Sequence, residues 1–163
     1  MVPTFNPAAD IPSLCGKTIF VTGGNTGLGK QSIIDLARHD PAQIWLAARD
    51  LVKAQAAATE IRSIVPAVPI ILLKLDLSSV KSIKEAVAIF SSTAKRLDIL
   101  MLNAGIMAVP PGLTEEGYEI QFGTNHVGHA LLTKLLLPLL VETAAKFEAD
   151  ELWDWTEREL APY

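Results

Sequence analysis

Thr22-Gly23-Gly24-Asn25-Thr26-Gly27-Leu28-Gly29-Lys30 decides how this sequence of 163 residues is read. The run before it, Lys17-Thr18-Ile19-Phe20-Val21, is apolar and β-branched and predicts a buried strand. After it, in Gln31 to Arg38, Ile33, Ile34 and Ala37 recur at helical spacing. Strand, glycine turn and helix in that order form the context in which glycines carry information. Glycines let the backbone turn tightly and come close to a pyrophosphate. The helix then offers unpaired amides and the positive end of its dipole to the phosphate. Gly23, Gly27 and Gly29 are spaced T-G-x-x-x-G-x-G, not G-x-G-x-x-G. Taken alone, the glycines also fit an ordinary strand-to-helix loop.

The bulk composition sets bounds around that stretch. The length suits one domain, and 50% hydrophobic with 20% charged residues allows a sizeable core. A net charge of −4 without a basic run argues against nucleic acid as a partner. Cys15 is the single cysteine, so no internal disulfide forms. With no basic and apolar leader at the N-terminus, a cytoplasmic location is expected. No uninterrupted apolar run reaches roughly 18 residues, which argues against a spanning helix; Lys134 and Pro138 break the most apolar stretch, Leu131 to Val141.

Met1 to Leu14, with Pro3, Pro7 and Pro12, reads as an extended surface arm, and residues 1–15 are assigned to it. The first helix is expected to end near His39-Asp40, because Pro41 restricts the residue before it; His39 then offers positive charge to the last turn. Gln43 to Ala48 is the second strand. Dinucleotide folds place an acidic residue at its end, where it meets the adenosine ribose hydroxyls. Here Ala48 and Arg49 follow instead. An Asp would repel a 2′-phosphate, whereas an Arg grips it with charge-assisted bonds, so the pair favours NADP over NAD. The other reading pairs Arg49 with Asp50 or Glu60.

Leu51 to Val65 predicts a second helix with Leu51, Ala54, Ala58, Ile61 and Val65 on one face. Ile70 to Leu75 is a third strand, apolar enough to be buried on both faces. Asp76-Leu77-Ser78 follows, and Asp76 or Ser78 suits the cap of the next helix. That helix spans Val80 to Lys95 with Ile83, Val87 and Phe90 inward. Leu97 to Leu102 is a fourth strand and runs into Asn103-Ala104-Gly105. A loop, Ile106 to Thr114, precedes Thr114-Glu115-Glu116-Gly117, which is expected to open a long helix through Gln121-Phe122-Gly123-Thr124-Asn125-His126-Val127-Gly128-His129. There Asn125 reads as a polar residue at a kink flanked by Gly123 and Gly128. His126 and His129, three apart, have metal-ligand spacing but no third ligand.

T-G-x-x-x-G-x-G, D-L-S and N-A-G, in this order at successive strand ends, resemble the short-chain dehydrogenase/reductase family, and the wider sequence resembles its retinol-dehydrogenase-like branch from about Gly16 to Val141. The resemblance implies the first half of a Rossmann-like, doubly wound α/β sheet of order 3-2-1-4. It implies NADP held by Gly23, Asn25, Thr26, Gly27, Leu28 and Gly29 in the loop and by Arg49. It further implies that Asp76 and Leu77 meet the adenine ring, that Asn103 steadies the sheet, and that Ala104 and Gly105 let the cofactor lie against the backbone. The loop from Ile106 would wall the substrate side. Asn125 is matched to the catalytic Asn, whose backbone holds a water in a proton relay.

The resemblance then stops. The family continues with a fifth strand bearing a Ser and with a Tyr-x-x-x-Lys motif. Its Tyr, near pKa 10 unperturbed, is lowered by the Lys for acid–base work. Here Tyr118 is followed four residues on by Phe122, and Tyr163 is the last residue. Residues 142–163 instead hold seven acidic and two basic residues, with Trp153 and Trp155. Ala149, Leu152, Trp153, Thr156 and Leu160 fall at helical spacing. The expected division is a cofactor half-domain over 1–141 and an acidic tail over 142–163.

Three functions compete: an NADP-dependent oxidoreductase by lineage, a non-catalytic nucleotide-binding partner of itself or of a full-length relative through the open sheet edge, and a truncated product without a function of its own. A methyltransferase, which also begins strand–glycine–helix, expects an acidic ribose partner where Ala48-Arg49 stands.

Overall fold

The computed structural model describes residues 5–147. Its sheet is built from β1 (Thr18–Thr22), β2 (Gln43–Ala48), β3 (Ile70–Lys74) and β4 (Ile99–Met101). All four are parallel and lie in the order β3-β2-β1-β4, as the sequence predicts. The register pairs Thr18 with Gln43, Ile19 with Ile99 and Ile44 with Ile70.

Successive strand residues face opposite sides of a sheet, so an apolar strand feeds two cores. Ile19, Val21, Ile44 and Leu46 pack under α2 (Gly27–Ala37) and α3 (Leu51–Ile64), against Ile33, Ala58 and Ile61. Phe20, Trp45 and Leu73 pack under α4 (Val80–Thr93) and α6 (Gly128–Phe147), against Ile83, Phe90, Leu132 and Leu136. Phe90 meets Phe20 and Trp45 edge-on, with centroids at 5.2 Å and 4.9 Å. These three rings are the aromatic residues of this cluster, and such contacts add to area burial.

Several elements differ from expectation. The arm is not wholly extended: Pro7–Asp10 forms α1, capped by the Asn6 side chain on the Ala8 amide. The first long helix, α2, ends at Ala37, and His39 lies beyond it. Its ring donates to the Pro7 carbonyl (2.9 Å) and so ties the arm down instead of meeting the helix end. Along α3, Ala57 replaces Leu51 among the inward residues, and Leu51 is exposed. In β3, Ile71 and Leu72 are only half-buried, because the strand lies at the sheet edge.

The cap of α4 is Ser79, whose hydroxyl accepts from the Ser82 amide, so neither Asp76 nor Ser78 caps it. Thr114 to Gly117 forms a turn closed by the Gly117 amide on the Thr114 carbonyl (3.0 Å). The long helix opens later, with Glu119 capping α5 (Ile120–Phe122). A carboxylate accepts two amides there, a stronger cap than Thr114 supplies. Gly123–Val127 is a π turn, and α6 follows it without a break.

Helix α6 crosses the expected boundary after Val141 and runs to Phe147, with Thr143 buried and Glu142 paired to Lys146. The expected helical face at Ala149 to Leu160 lies outside the described residues. Ile120–Lys146 is, by length and composition alone, long and apolar enough to cross a membrane. Unbroken runs do not register this, because two polar or kinked positions interrupt the sequence but not the helix. Leu132 and Leu136 are fully buried in the core beneath α4, while Leu137 and Val141 on the same helix are exposed.

Candidate functional site

The carboxyl ends of all four strands open into one cavity of about 470 Å³. Thr22 and Gly23 enter it from β1, Ala47 to Arg49 from β2, Leu75 to Leu77 after β3, and Asn103 to Ile106 after β4. Of the sequence-predicted cofactor residues, Gly23, Asn25, Thr26, Gly27, Leu28, Arg49, Asp76, Leu77, Asn103, Ala104 and Gly105 line it. Gly29 lies behind that surface, and Asn125 lies elsewhere.

The glycines divide into two roles. Gly23 has φ +66°, and a Cβ on it would lie 2.9 Å from the Ala104 Cα. A Cβ on Gly29 would overlap the Asn103 amide and sit 2.5 Å from the Gly23 carbonyl. Both are small so that the N-A-G segment can pack on the first turn. Gly27, at φ +54°, has open space where its Cβ would be, which leaves its backbone free to approach a ligand. Thr26 caps α2 without a side-chain bond. The first amides of a helix have no intrahelical acceptor, so this end presents donors and a positive dipole to the cavity. The donor set and the glycine cradle fit a dinucleotide pyrophosphate.

Asn103 braces this turn: its Nδ2 donates to the carbonyls of Thr22 (3.1 Å) and Gly23 (3.3 Å). Arg49 stands exposed on the rim. Neither alternative partner takes it. Asp50 accepts the Val52 and Lys53 amides (2.9 and 3.1 Å) as the cap of α3, and Glu60 pairs with Lys30 at 2.6 Å. Lys53, one turn into α3, lines the same wall.

Asn125 sits in the π turn, a local widening of the helix that recurs at functional sites. Its side chain clamps Ile106 in both directions, accepting from the amide (2.8 Å) and donating to the carbonyl (2.7 Å). Its backbone carbonyl accepts from His129 Nδ1 at 2.9 Å. A carbonyl only accepts, so Nδ1 carries a hydrogen, and in the neutral ring Nε2 accepts from the Thr22 hydroxyl at 3.0 Å, the Met101 carbonyl at 3.4 Å being that hydroxyl's other acceptor. Burial pushes the His129 pKa below its ordinary 6.5, against the opposing pull of the Asn125 bond. Thr22 Oγ1 also accepts the Ala104 amide (3.0 Å), so one chain of bonds links β1, the N-A-G loop and the π turn.

His126 and His129 do not act as a pair. His126 stacks on Phe122 at 5.2 Å, and both nitrogens of His129 are engaged. Among the described residues no three metal-ligating groups come together. Asn125, His126 and His129 instead border a separate open groove with Leu102, Lys134 and Leu137.

Sequence reading did not assign Lys53 or Thr124 to the cavity, and it gave Thr22 only as the first residue of the glycine motif and Ile106 only as the start of the substrate-side loop. Lys53 carries a legible signal, a second cation one helical turn after Arg49. Thr124 carries none, and the bond of Thr22 to His129 is equally silent because it joins residues 107 positions apart.

The short chain dehydrogenase family model matches residues 17–146. Human retinol dehydrogenase 13 is 49% identical over 129 residues, covering 79% of this chain and 39% of the relative. A short-chain dehydrogenase/reductase from Armillaria gallica is 45% identical over 140 residues, covering 85% and 45%. The chain thus spans about two fifths of the curated relatives it matches. Among solved structures, an uncharacterized protein from Mycobacterium Paratuberculosis is similar with a TM-score of 0.70 at 42% identity, covering 81% of this chain and 46% of that one. YwfH, described as an NADPH dependent reductase involved in bacilysin biosynthesis, gives 0.62 at 25% identity, covering 76% and 51%.

Proposed function

We propose, because this chain belongs to the short chain dehydrogenase family, that it binds NADP(H) across the carboxyl ends of its strands and provides the cofactor-binding half of an oxidoreductase. The bound cofactor supplies a hydride for exchange with a carbonyl or alcohol carbon. Arg49 carries the NADP assignment: it stands on the cavity rim with no ion pair among the described residues, where a ribose 2′-phosphate needs a cation. The NADPH-dependent neighbour supports the same reading.

In this reading the amides of Gly27 to Gly29 hold the pyrophosphate, and Asn103 keeps the turn rigid beneath it. Asn125 fixes the loop at Ile106 on the nicotinamide side. The retinol dehydrogenase relatives support a lipophilic alcohol or aldehyde as substrate. No Ser and Tyr-x-x-x-Lys set stands in these 163 residues, and a general acid or base typically contributes about 10²- to 10⁴-fold. We therefore assign negligible turnover to the chain by itself.

A second reading, a nucleotide-binding partner of itself or of a longer relative, draws on the outer edge of β4. That strand is half-buried, and Leu102 and Leu137 stand exposed beside it. Fluorescence titration with NADPH and NADH tests the cofactor assignment. NADPH should bind about 10- to 100-fold more tightly, and equal affinities would refute it. With a panel of aldehydes and ketones, NADPH consumption should not exceed a buffer blank.

A further inference from the structure

One buried side-chain polar atom among the described residues has no hydrogen-bond partner, Oγ1 of Thr124. An unpaired buried hydroxyl is costly, and a native chain that keeps one calls for a reason. Thr124 itself is half-buried and lines the dinucleotide cavity, though its oxygen is shielded. Gly128, about one turn on, packs so closely on Leu77 that a Cβ would overlap the Leu77 carbonyl. Thr124 lies about one turn before this contact on the same helix run, and Asp76, Leu77 and Thr124 line one cavity.

Asp76 adds a second acceptor at that end. Its Oδ1 is taken by the Ser78 amide (3.0 Å) and the Ser78 hydroxyl (2.6 Å), while Oδ2 carries no bond among the described residues. A carboxylate only accepts, so whatever binds there must donate. An exocyclic amino group on a flat ring has two N–H donors in one plane and so matches two acceptors.

We propose that Thr124 is a specificity-determining contact for the amino-bearing purine, adenine, of the dinucleotide, an inference that rests on the nucleotide-binding reading above. In a helix threonine takes two χ1 wells. A turn of about 120° between these wells carries Oγ1 out of its shielded position, in this proposal to the cavity surface. There it accepts one amino N–H while Asp76 Oδ2 accepts the other. The bound base thereby satisfies the oxygen that the free chain leaves unpaired.

Calorimetric titration of the full chain with NADP⁺ and with its 1,N6-etheno derivative, whose fused ring removes both amino donors, tests this. Thr124→Val should weaken NADP⁺ binding roughly 3- to 10-fold, and Thr124→Ser should restore it. The etheno derivative should bind wild type and Thr124→Val alike. Without ligand, Thr124→Val should melt no lower than wild type, since it deletes an unpaired hydroxyl and keeps the shape. The proposal is overturned, with nucleotide binding intact, by any of three results. These are unchanged NADP⁺ affinity in Thr124→Val, an equal loss with the etheno derivative, or a lower ligand-free melting temperature, which would mean a structural partner such as a trapped water. If the wild type prefers NAD⁺, the same comparison runs with NAD⁺ and its etheno derivative. A wild type that binds neither dinucleotide removes the nucleotide reading and this inference together.

Discussion

His129 Nε2 lies 3.0 Å from Thr22 Oγ1, a buried bond that spans 107 residues of sequence. Protonation would place a charge in a buried site and turn the Thr22 hydroxyl toward the Met101 carbonyl, 3.4 Å away. The folded pKa lies below 6.5 through burial, so as pH falls the unfolded chain takes up the proton first. The stability this histidine contributes is complete above about 6.5 and is lost as pH falls through the folded value. The melting temperature should therefore drop from pH 7 to 5.5, and less steeply in His129→Gln, which cannot titrate there. Equal slopes in the two proteins would disprove the assignment. Glu119, held below its ordinary 4.5 by the Gln121 and Phe122 amides, loses its contribution only at lower pH.

Gly128 has a different dependence. Exchanging a helical glycine for alanine ordinarily stabilises by about 1 kcal/mol. Here the added carbon would overlap the Leu77 carbonyl, which belongs to backbone and cannot rotate away. Overpacking typically costs about 1–3 kcal/mol. Gly128→Ala should thus lower the urea midpoint, and it should also weaken NADPH binding because Leu77 lines the cavity. A raised midpoint would show that α6 can slide off the β3 end at little cost.

Asp98 anchors the opposite end of the sheet. Its carboxylate is almost wholly buried, accepts the Thr18 amide at 2.6 Å and is held by both Arg96 Nε (2.8 Å) and an Arg96 terminal nitrogen. Lys17 Nζ stands 4.0 Å from the same carboxylate, and taking a buried carboxylate away from its cations costs about 3–5 kcal/mol. Arg96 keeps partial solvent access, which places Asp98→Ala near the lower figure. Chemical denaturation should show that loss with cofactor affinity unchanged in whatever fraction remains folded, because no cavity residue touches Asp98.

Parallel strands buried on both faces announce themselves as continuous apolar runs, and β1 and β2 were legible for that reason, β2 to the residue. The edge strands were less so. Sequence extends β4 over Leu97 to Leu102, while only Ile99–Met101 pairs with β1, and an apolar run does not mark where pairing stops. Motif residues at the cavity were legible because glycine, Asn103 and Arg49 have few substitutes for what they do. The start of the long helix was misplaced because Thr114 and Glu119 both suit a cap, and only the turn at Gly117, with φ +84°, decides between them. The network through Thr22 and His129 had no sequence signal, since its spacing in the chain is arbitrary.

Arg49 and Lys53 stand one helical turn apart on the same rim, and their contributions to selectivity should be unequal. Asp50, between them, is committed to the amides of α3 and does not neutralise Arg49. An arginine bonding a phosphate contributes roughly 1.5–3 kcal/mol, about 10- to 100-fold in affinity. Lys53 is largely exposed and keeps a 4.0 Å contact with Asp50, so its share belongs with surface pairs, about 0.2–1 kcal/mol. Arg49→Asp should weaken NADPH binding by the larger factor and leave NADH binding equal or tighter, because a carboxylate there accepts the ribose hydroxyls. Lys53→Ala should weaken NADPH only a few-fold, and that loss should vanish at high salt, where exposed charges are screened. If Lys53→Ala instead proves the more damaging of the two, the phosphate sits over α3 and not at the end of β2. If neither substitution separates NADPH from NADH, the rim does not read the phosphate at all.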